Sequence, residues 1–512
     1  MNQQSKSRKL SKSIKNIIKK PDFYLILAFV SINFFTTYIA LIQNGVGHKI
    51  TILIIELLLE GALIFTLFRS KTKKQTIEKK YLLFAVLLGA ILLIFLPPGQ
   101  APDEQNHFRR AYGVARGDFI IESGSSQLPD DISDSLHSMP EKGTYRRILA
   151  NVFTSVSTNY TEQKYTNTAI YNPICYLPQI LAALIGRIFN LSILATAYLM
   201  EIFNYAAYVM LIYWAIKIIP KFKAFIVFLA LSPMALQESV SLAPDALTIG
   251  LCLFLIAFVC HIAYERKNVI SKRELIILYA MAVILGFCKI VYLPLVLLYF
   301  LIPAERFGTK KRKVTHAICI AVAVAALNGA WLLASSKIAG DGLREGVNTA
   351  VQLSTILRNP LGYLKLMLVT TNELVFVWLD GVFGLSLGAF VVNFPTIYRF
   401  IALIVFIVLV AQRNERIEKM PNRDRIIMAS IFILISSFIL TVEFLQWTPA
   451  GAPIIEGVQG RYFIPFILLL PLAFNRKRDS SQNMNLITEN RIILYCIFLD
   501  IAAAALFLAQ NA

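Results

Sequence analysis

Charge is scarce in this chain. Asp, Glu, Lys and Arg make up 16% of 512 residues, against 57% hydrophobic residues and a mean hydropathy of +0.62. Soluble globular domains carry about a quarter charged residues, so that class is excluded and a polytopic membrane protein remains. Cysteine is limited to six residues, at 175, 252, 260, 288, 319 and 496, all inside apolar runs and without CxxC spacing. A disulfide framework and a zinc knuckle are therefore excluded, and the thiols read as small core hydrophobes. No repeat relates the two halves of the chain.

Acidic residues are outnumbered, 31 against 50 Lys and Arg, for a net charge of +19. The excess base forms neither one face nor one domain, which argues against a nucleic-acid partner. It sits in short loops between apolar runs: Lys6 to Lys20, Arg69 to Lys80, Arg306 to Lys313, Arg413 to Arg425 and Arg476 to Arg478. By the positive-inside rule these loops are cytoplasmic. Residues 1–21 are then a basic cytoplasmic N-terminus. The run from Phe23 to Ile42 is too long for a signal peptide and lacks a cleavage site, so it stays as the first helix.

Three transmembrane helices fill 22–97 and bring the chain to the outer face. The segment 98–168 is external, with nine acids against seven Lys and Arg, and its length predicts membrane-surface helices. A polytopic core follows over 169–475, then a cytoplasmic loop and a last transmembrane helix over 476–512. Parity does not close if every apolar run crosses: either 170–189 or 223–238 fails to span, or one basic loop is external. The run 274–303 begins and ends beside basic loops, so it must turn, at Gly286 to Pro294 around Lys289. The run 361–379 returns to the outer side. The fold class expected is an all-α integral membrane bundle of 11 to 14 transmembrane helices.

The chemistry-bearing residues concentrate where the chain leaves the membrane. In Pro102-Asp103-Glu104-Gln105-Asn106-His107-Phe108-Arg109-Arg110, adjacent acids in a Pro-Gly-Pro context read either as a general base with an orienting partner or as caps of a helix starting near Gln105. His107 and Arg110 share a helical face, and they or Arg109 would contact a phosphate, or else pair with external acids and headgroups. Asp245, after Ser232-Pro233 and Ala243-Pro244, either faces a partner in a wet cavity or caps the next helix. Lys289, amid thirty mostly apolar residues, needs an anion, an internal acid such as Glu201, or a snorkelling path. In Gln459-Gly460-Arg461-Tyr462-Phe463 a planar guanidinium suits phosphate, the alternative being an interfacial anchor. Glu56, Glu60, Glu373, Asp380, Glu443 and Asp500 receive no catalytic role.

Taken in order, Pro102-Asp103-Glu104 with His107, Tyr171-Asn172-Pro173, Ser232-Pro233 through Pro244-Asp245, Lys289 with Tyr292-Leu293-Pro294, and Gln459 to Phe463 resemble the bacterial membrane proteins called domain of unknown function 2142, over about residues 80 to 475. That family is in turn similar to the GT-C glycosyltransferases. The resemblance implies an inverting transfer of a sugar from a polyprenyl-phosphate donor to a cell-envelope glycan, glycolipid or glycopolymer at the outer face of a bacterial membrane. It implies Asp103 as base and Glu104 as its assistant, with His107, Arg109, Arg110, Asp245, Lys289, Tyr292, Arg461 and Tyr462 binding substrate. A divalent cation, Mg or Mn, would be held by Glu104 and Asp245. The alternatives are a transporter or flippase of lipid-linked saccharides, or a noncatalytic subunit of polysaccharide assembly.

Overall fold

The computed structural model describes residues 21–121, 124–136, 144–336, 338, 346–388, 391–411, 420–474 and 487–511. The basic clusters at 6–20, 413–419 and 476–478 lie outside these residues. Among the described residues eight helices are long and apolar enough to cross a membrane, and three shorter apolar ones accompany them.

Bonds at the segment ends decide which of them cross. At one end, Arg491 pairs with Asp22, Lys80 with Glu489, Arg306 with the Lys267 carbonyl, and Arg423 and Arg425 with the carbonyls of Phe300 and Ala473. This is the basic end. At the opposite end lie the described residues of 98–190 and those of 346–388.

Between the two ends run α1 (Pro21–Gln43), α2 (Lys49–Thr72), α3 (Ile77–Phe95), α6 (Ile193–Ile218), the broken pair α7 (Lys223–Ala230) and α8 (Pro233–Ser239), α9 (Asp245–Cys260), α10 (Lys272–Cys288), a 3-10 helix Ile290–Leu301, α11 (Lys310–Ser335), α14 (Thr396–Ala411), α15 (Asn422–Gln446), the stretch 460–474, which ends in α16 (Leu469–Phe474), and α17 (Glu489–Asn511). With α7 and α8 counted as one, these are thirteen passages among the described residues, within the expected 11 to 14.

The remaining helices of ten residues or more do not cross. These are α4 (Glu104–Arg116) and α5 (Leu177–Ile188), then α12 (Thr349–Arg358) and α13 (Pro360–Phe383). At its start α5 is held by Gln179, which donates to the Leu242 and Ala243 carbonyls, and at its end by Arg187, which donates to the Ala115 carbonyl of α4. The run 170–189 therefore stays at the end opposite the basic loops rather than passing between the two ends. Although α13 qualifies as a span by length and composition, Tyr363 donates to Thr441 near the end of α15 opposite the basic end, and Gly381 packs on Gly460. Both its ends therefore sit in the same layer, as expected for 361–379.

The turn expected at Lys289 is present. A capping box of Ser271 and Glu274 starts α10, and Lys289 breaks it with extended backbone (φ −153°, ψ 114°). Seventeen α-helical residues rise about 25 Å, and twelve 3-10 residues at about 2.0 Å each return about 24 Å. The limbs close where the Ile270 N–H donates to the Arg306 carbonyl at 2.7 Å. Lys289 is therefore at the tip of a hairpin that nearly crosses the hydrocarbon, not at its midplane. The stretch 460–474 returns in the same stretched fashion, with several bonds of i to i+3 type. In each case a cation, Lys289 or Arg461, stands at the start, opposite the basic end. Five cysteines are buried and Cys319 is exposed on α11, all as free thiols.

Candidate functional site

Tight backbone work makes the site. Asp103 precedes α4 in a left-handed conformation (φ 60°, ψ 10°) and gives no side-chain cap bond. That backbone costs an L-residue with a Cβ about 1 kcal/mol, least for Asn and Asp. The carboxyl is exposed and accepts from Asn167 Nδ2 at 3.2 Å.

Its neighbour Glu104 is buried and accepts three backbone N–H bonds, from Gly99 at 2.6 Å, Ala101 at 2.9 Å and Leu242 at 2.9 Å. It thereby ties the loop before α4 to the turn before α9. Burial pushes this carboxyl up to about 7, while the three N–H donors and the nearby charge of Glu238 act in opposite senses. With both oxygens engaged, Glu104 positions Asp103 rather than facing a substrate.

One helical turn on, His107 Nδ1 shares a hydrogen bond with the Tyr176 hydroxyl at 2.6 Å, beside the ring of Tyr171. Burial holds its pKa down at about 3; Asp245 opposes this, and Arg461 and Lys289 add to it. The ring is therefore neutral at pH 7 and lies within the field of the cation cluster.

That cluster is assembled from distant segments. Lys289 Nζ donates to Asp245 Oδ1 at 2.6 Å, so its partner is Asp245 and not Glu201. Arg461 Nη1 donates to Glu238 Oε2 at 2.8 Å. The Tyr462 ring lies 5.1 Å from the Lys289 ammonium and 5.6 Å from the Arg461 guanidinium, close enough for cation–π attraction to both. Tyr292 fixes that ring's backbone by donating to the Tyr462 carbonyl at 2.9 Å. Gly460 and Gly381 meet backbone to backbone, and a Cβ on either would collide with the backbone of the other segment. This close approach holds Arg461 against α13.

Donor capacity is left over. The Arg461 Nε is buried without an acceptor, and an ammonium has three donors where Lys289 has one hydrogen bond given. The arrangement can thus take a further acceptor-rich anion.

Two expected ligands are occupied elsewhere. Every nitrogen of Arg110 donates to a backbone carbonyl, those of Tyr171, Asp118 and Phe119. Arg109 donates to Gln163, Asn106 and Ser133, bracing the antiparallel pair β1 (Ser125–Pro129) and β2 (Tyr160–Lys164). Both organise the layer of chain at the end opposite the basic loops. Of the two acids expected to hold a divalent cation, Glu104 accepts from three backbone N–H groups and Asp245 is paired with Lys289. The described residues bring together no group of three His, Cys, Asp or Glu.

Sequence reasoning passed over Glu238 as a site residue, although it lies in the quoted stretch Gln237-Glu238-Ser239. Its signal was a carboxylate in an interrupted apolar run with no local cation. Glu443, on α15, was also passed over; it is within the field of Lys289 and Arg461.

A family model described as a predicted membrane protein, DUF2142, matches residues 84–470. No curated protein and no solved structure matches the chain.

Proposed function

The chain belongs to the DUF2142 family of predicted membrane proteins, and on that premise we propose that it is a glycosyltransferase taking a sugar from a polyprenyl-phosphate donor to an envelope acceptor. One observation carries the reading: Lys289 and Arg461 flank a single aromatic ring with donors unspent, at the end of the bundle opposite the basic loops. By the positive-inside rule that end is external. A donor with a lipid tail and an anionic head fits such a place, since the tail needs hydrocarbon and the phosphate needs cations.

In this reading Asp103 accepts the acceptor hydroxyl's proton as the oxygen attacks the anomeric carbon. The bond to phosphate breaks on the opposite face and the configuration inverts. The departing polyprenyl phosphate gains charge, which Lys289 and Arg461 stabilise. Tyr292 and Tyr462 hold the cations in place, Asp245 and Glu238 orient them, and Glu104 fixes the loop that carries the base.

The test is release of polyprenyl phosphate by purified protein in lipid, given a sugar-charged carrier and an acceptor. Turnover by Asp103→Asn at the normal rate would sink the assignment. A second reading, transport of a lipid-linked saccharide, draws on the acids Glu56, Glu60 and Asp500 buried within the bundle. Movement of intact carrier across the bilayer without bond cleavage would select it.

A further inference from the structure

Helices α1, α2, α14 and α17 enclose a polar group that the site does not use. Asn33 stands about 17 Å along α1 from Asp22 at the basic end, near the middle of a hydrocarbon layer about 30 Å thick. Its Nδ2 donates to Glu60 Oε1 at 2.5 Å and to the Phe498 carbonyl at 2.9 Å. Its Oδ1 accepts from the Tyr398 hydroxyl at 2.8 Å, which also lies 3.2 Å from Thr36 Oγ1. Thr37 donates to Glu56 Oε1 at 2.8 Å. Glu56 and Glu60 are each 3% exposed, and Asn33, Thr37 and Tyr398 are fully buried.

Glu56 and Glu60, four apart, share a face of α2. Each has one oxygen served by a neutral donor, and in each the second oxygen, Oε2, is buried with no partner. None of the ion pairs among the described residues reaches either acid. Orphaned acceptors at membrane depth are expensive, and what answers a pair of them is a cation bound by oxygen.

We propose that Glu56 and Glu60, with the oxygens of Asn33, Thr36 and Thr37 beside them, bind a sodium ion within the membrane. Hard oxygen donors without nitrogen or sulfur suit an alkali cation rather than a transition metal. One carboxylate and one carboxyl around a monovalent ion leave the group neutral overall, which hydrocarbon tolerates. Tyr398 joins this group to the site end, because the next residue, Arg399, is paired with Asp380 beside Gly381.

The test uses the full chain in neutral phospholipid vesicles with two readouts. Dicyclohexylcarbodiimide adds a protonated buried carboxyl across its C=N bond, and the modified glutamate is located by mass spectrometry. Thermal unfolding is followed in parallel. Sodium chloride, compared with choline chloride, is expected to cut labelling at Glu56 or Glu60 by about tenfold, or to raise the melting temperature by mass action. Either response is expected to vanish in Glu60→Gln. If neither readout distinguishes sodium from choline, or labelling follows pH alone, the two acids are a plain protonated pair and the proposal is overturned.

Discussion

Acids occur in two buried regions of this molecule and are answered in opposite ways. At the site end Asp245 and Glu238 meet Lys289 and Arg461, and the unspent capacity lies on the cations. Between α1, α2, α14 and α17, Glu56 and Glu60 meet only neutral donors, and the unspent capacity lies on the acids. Buried polar groups are costly unless satisfied, so the sign of what is left over names the sign of the ligand. On that argument the first region favours an anion and the second a cation, as proposed for each.

The largest effect expected at the site end is on turnover. Asp103→Asn keeps a residue that tolerates the left-handed backbone but removes the base. Sugar transfer should fall about 10²- to 10⁴-fold, with the melting temperature unchanged. A parallel loss of stability would mean that the carboxyl holds the loop together, and the contrast between an open acid at the site and engaged acids around it would fail.

Next comes the Arg461–Glu238 pair. Arg461→Met leaves Glu238 buried and unanswered, which should cost about 3–5 kcal/mol of unfolding free energy. Adding Glu238→Gln should recover most of that loss without restoring transfer. Recovery of transfer in the double variant would reduce the pair to a structural tie and remove the anion-binding half of the comparison.

The layer that carries α4 offers a subtler test, through two groups shifted in opposite senses. Glu104 is raised to about 7, so its contribution to stability is full below about pH 4.5 and is lost as pH rises through about 7. His107 is lowered to about 3, so its contribution is full above about pH 6.5 and is lost as pH falls toward 3. Between about 4.5 and 6.5 the two slopes cancel. His107→Phe should therefore expose a melting temperature that falls with pH across that window, and Glu104→Gln one that rises. A flat profile in both variants would show that neither group is as buried in solution as it is here.

Much of this was legible in the sequence because hydrocarbon leaves few options. Basic loops on both sides of 274–303 forced the hairpin, with Gly286 and Pro294 marking the turn around Lys289. The same parity argument named 170–189 as one of two runs that might not cross, and α5 is that run. What could not be read was pairing across the chain. Arg461 and Glu238 are 223 residues apart, and nothing local tells a substrate-facing arginine from one spent on carbonyls, which is why Arg110 and Arg461 looked alike. Glu104 looked like a second catalytic acid beside Asp103 because its three donors are backbone N–H groups, which no side-chain pattern reveals. The left-handed backbone at Asp103, which separates the two acids' roles, is equally silent in the residue types.

The smallest effect tests the physical basis of the whole contrast. Asp22 and Arg491 meet at 2.8 Å, the same distance as Glu238 and Arg461, yet their side chains are 32% and 35% exposed where the site pair is 1% and 11% exposed. Water screens the first pair, so Asp22→Asn should cost less than about 1 kcal/mol, and added salt should shrink even that. The measurement is the change in melting temperature at low and high salt, set against Arg461→Met in the same lipid. Equal losses would mean that contact distance rather than surroundings governs these charges, and the argument from leftover capacity in dry regions would then lose its footing.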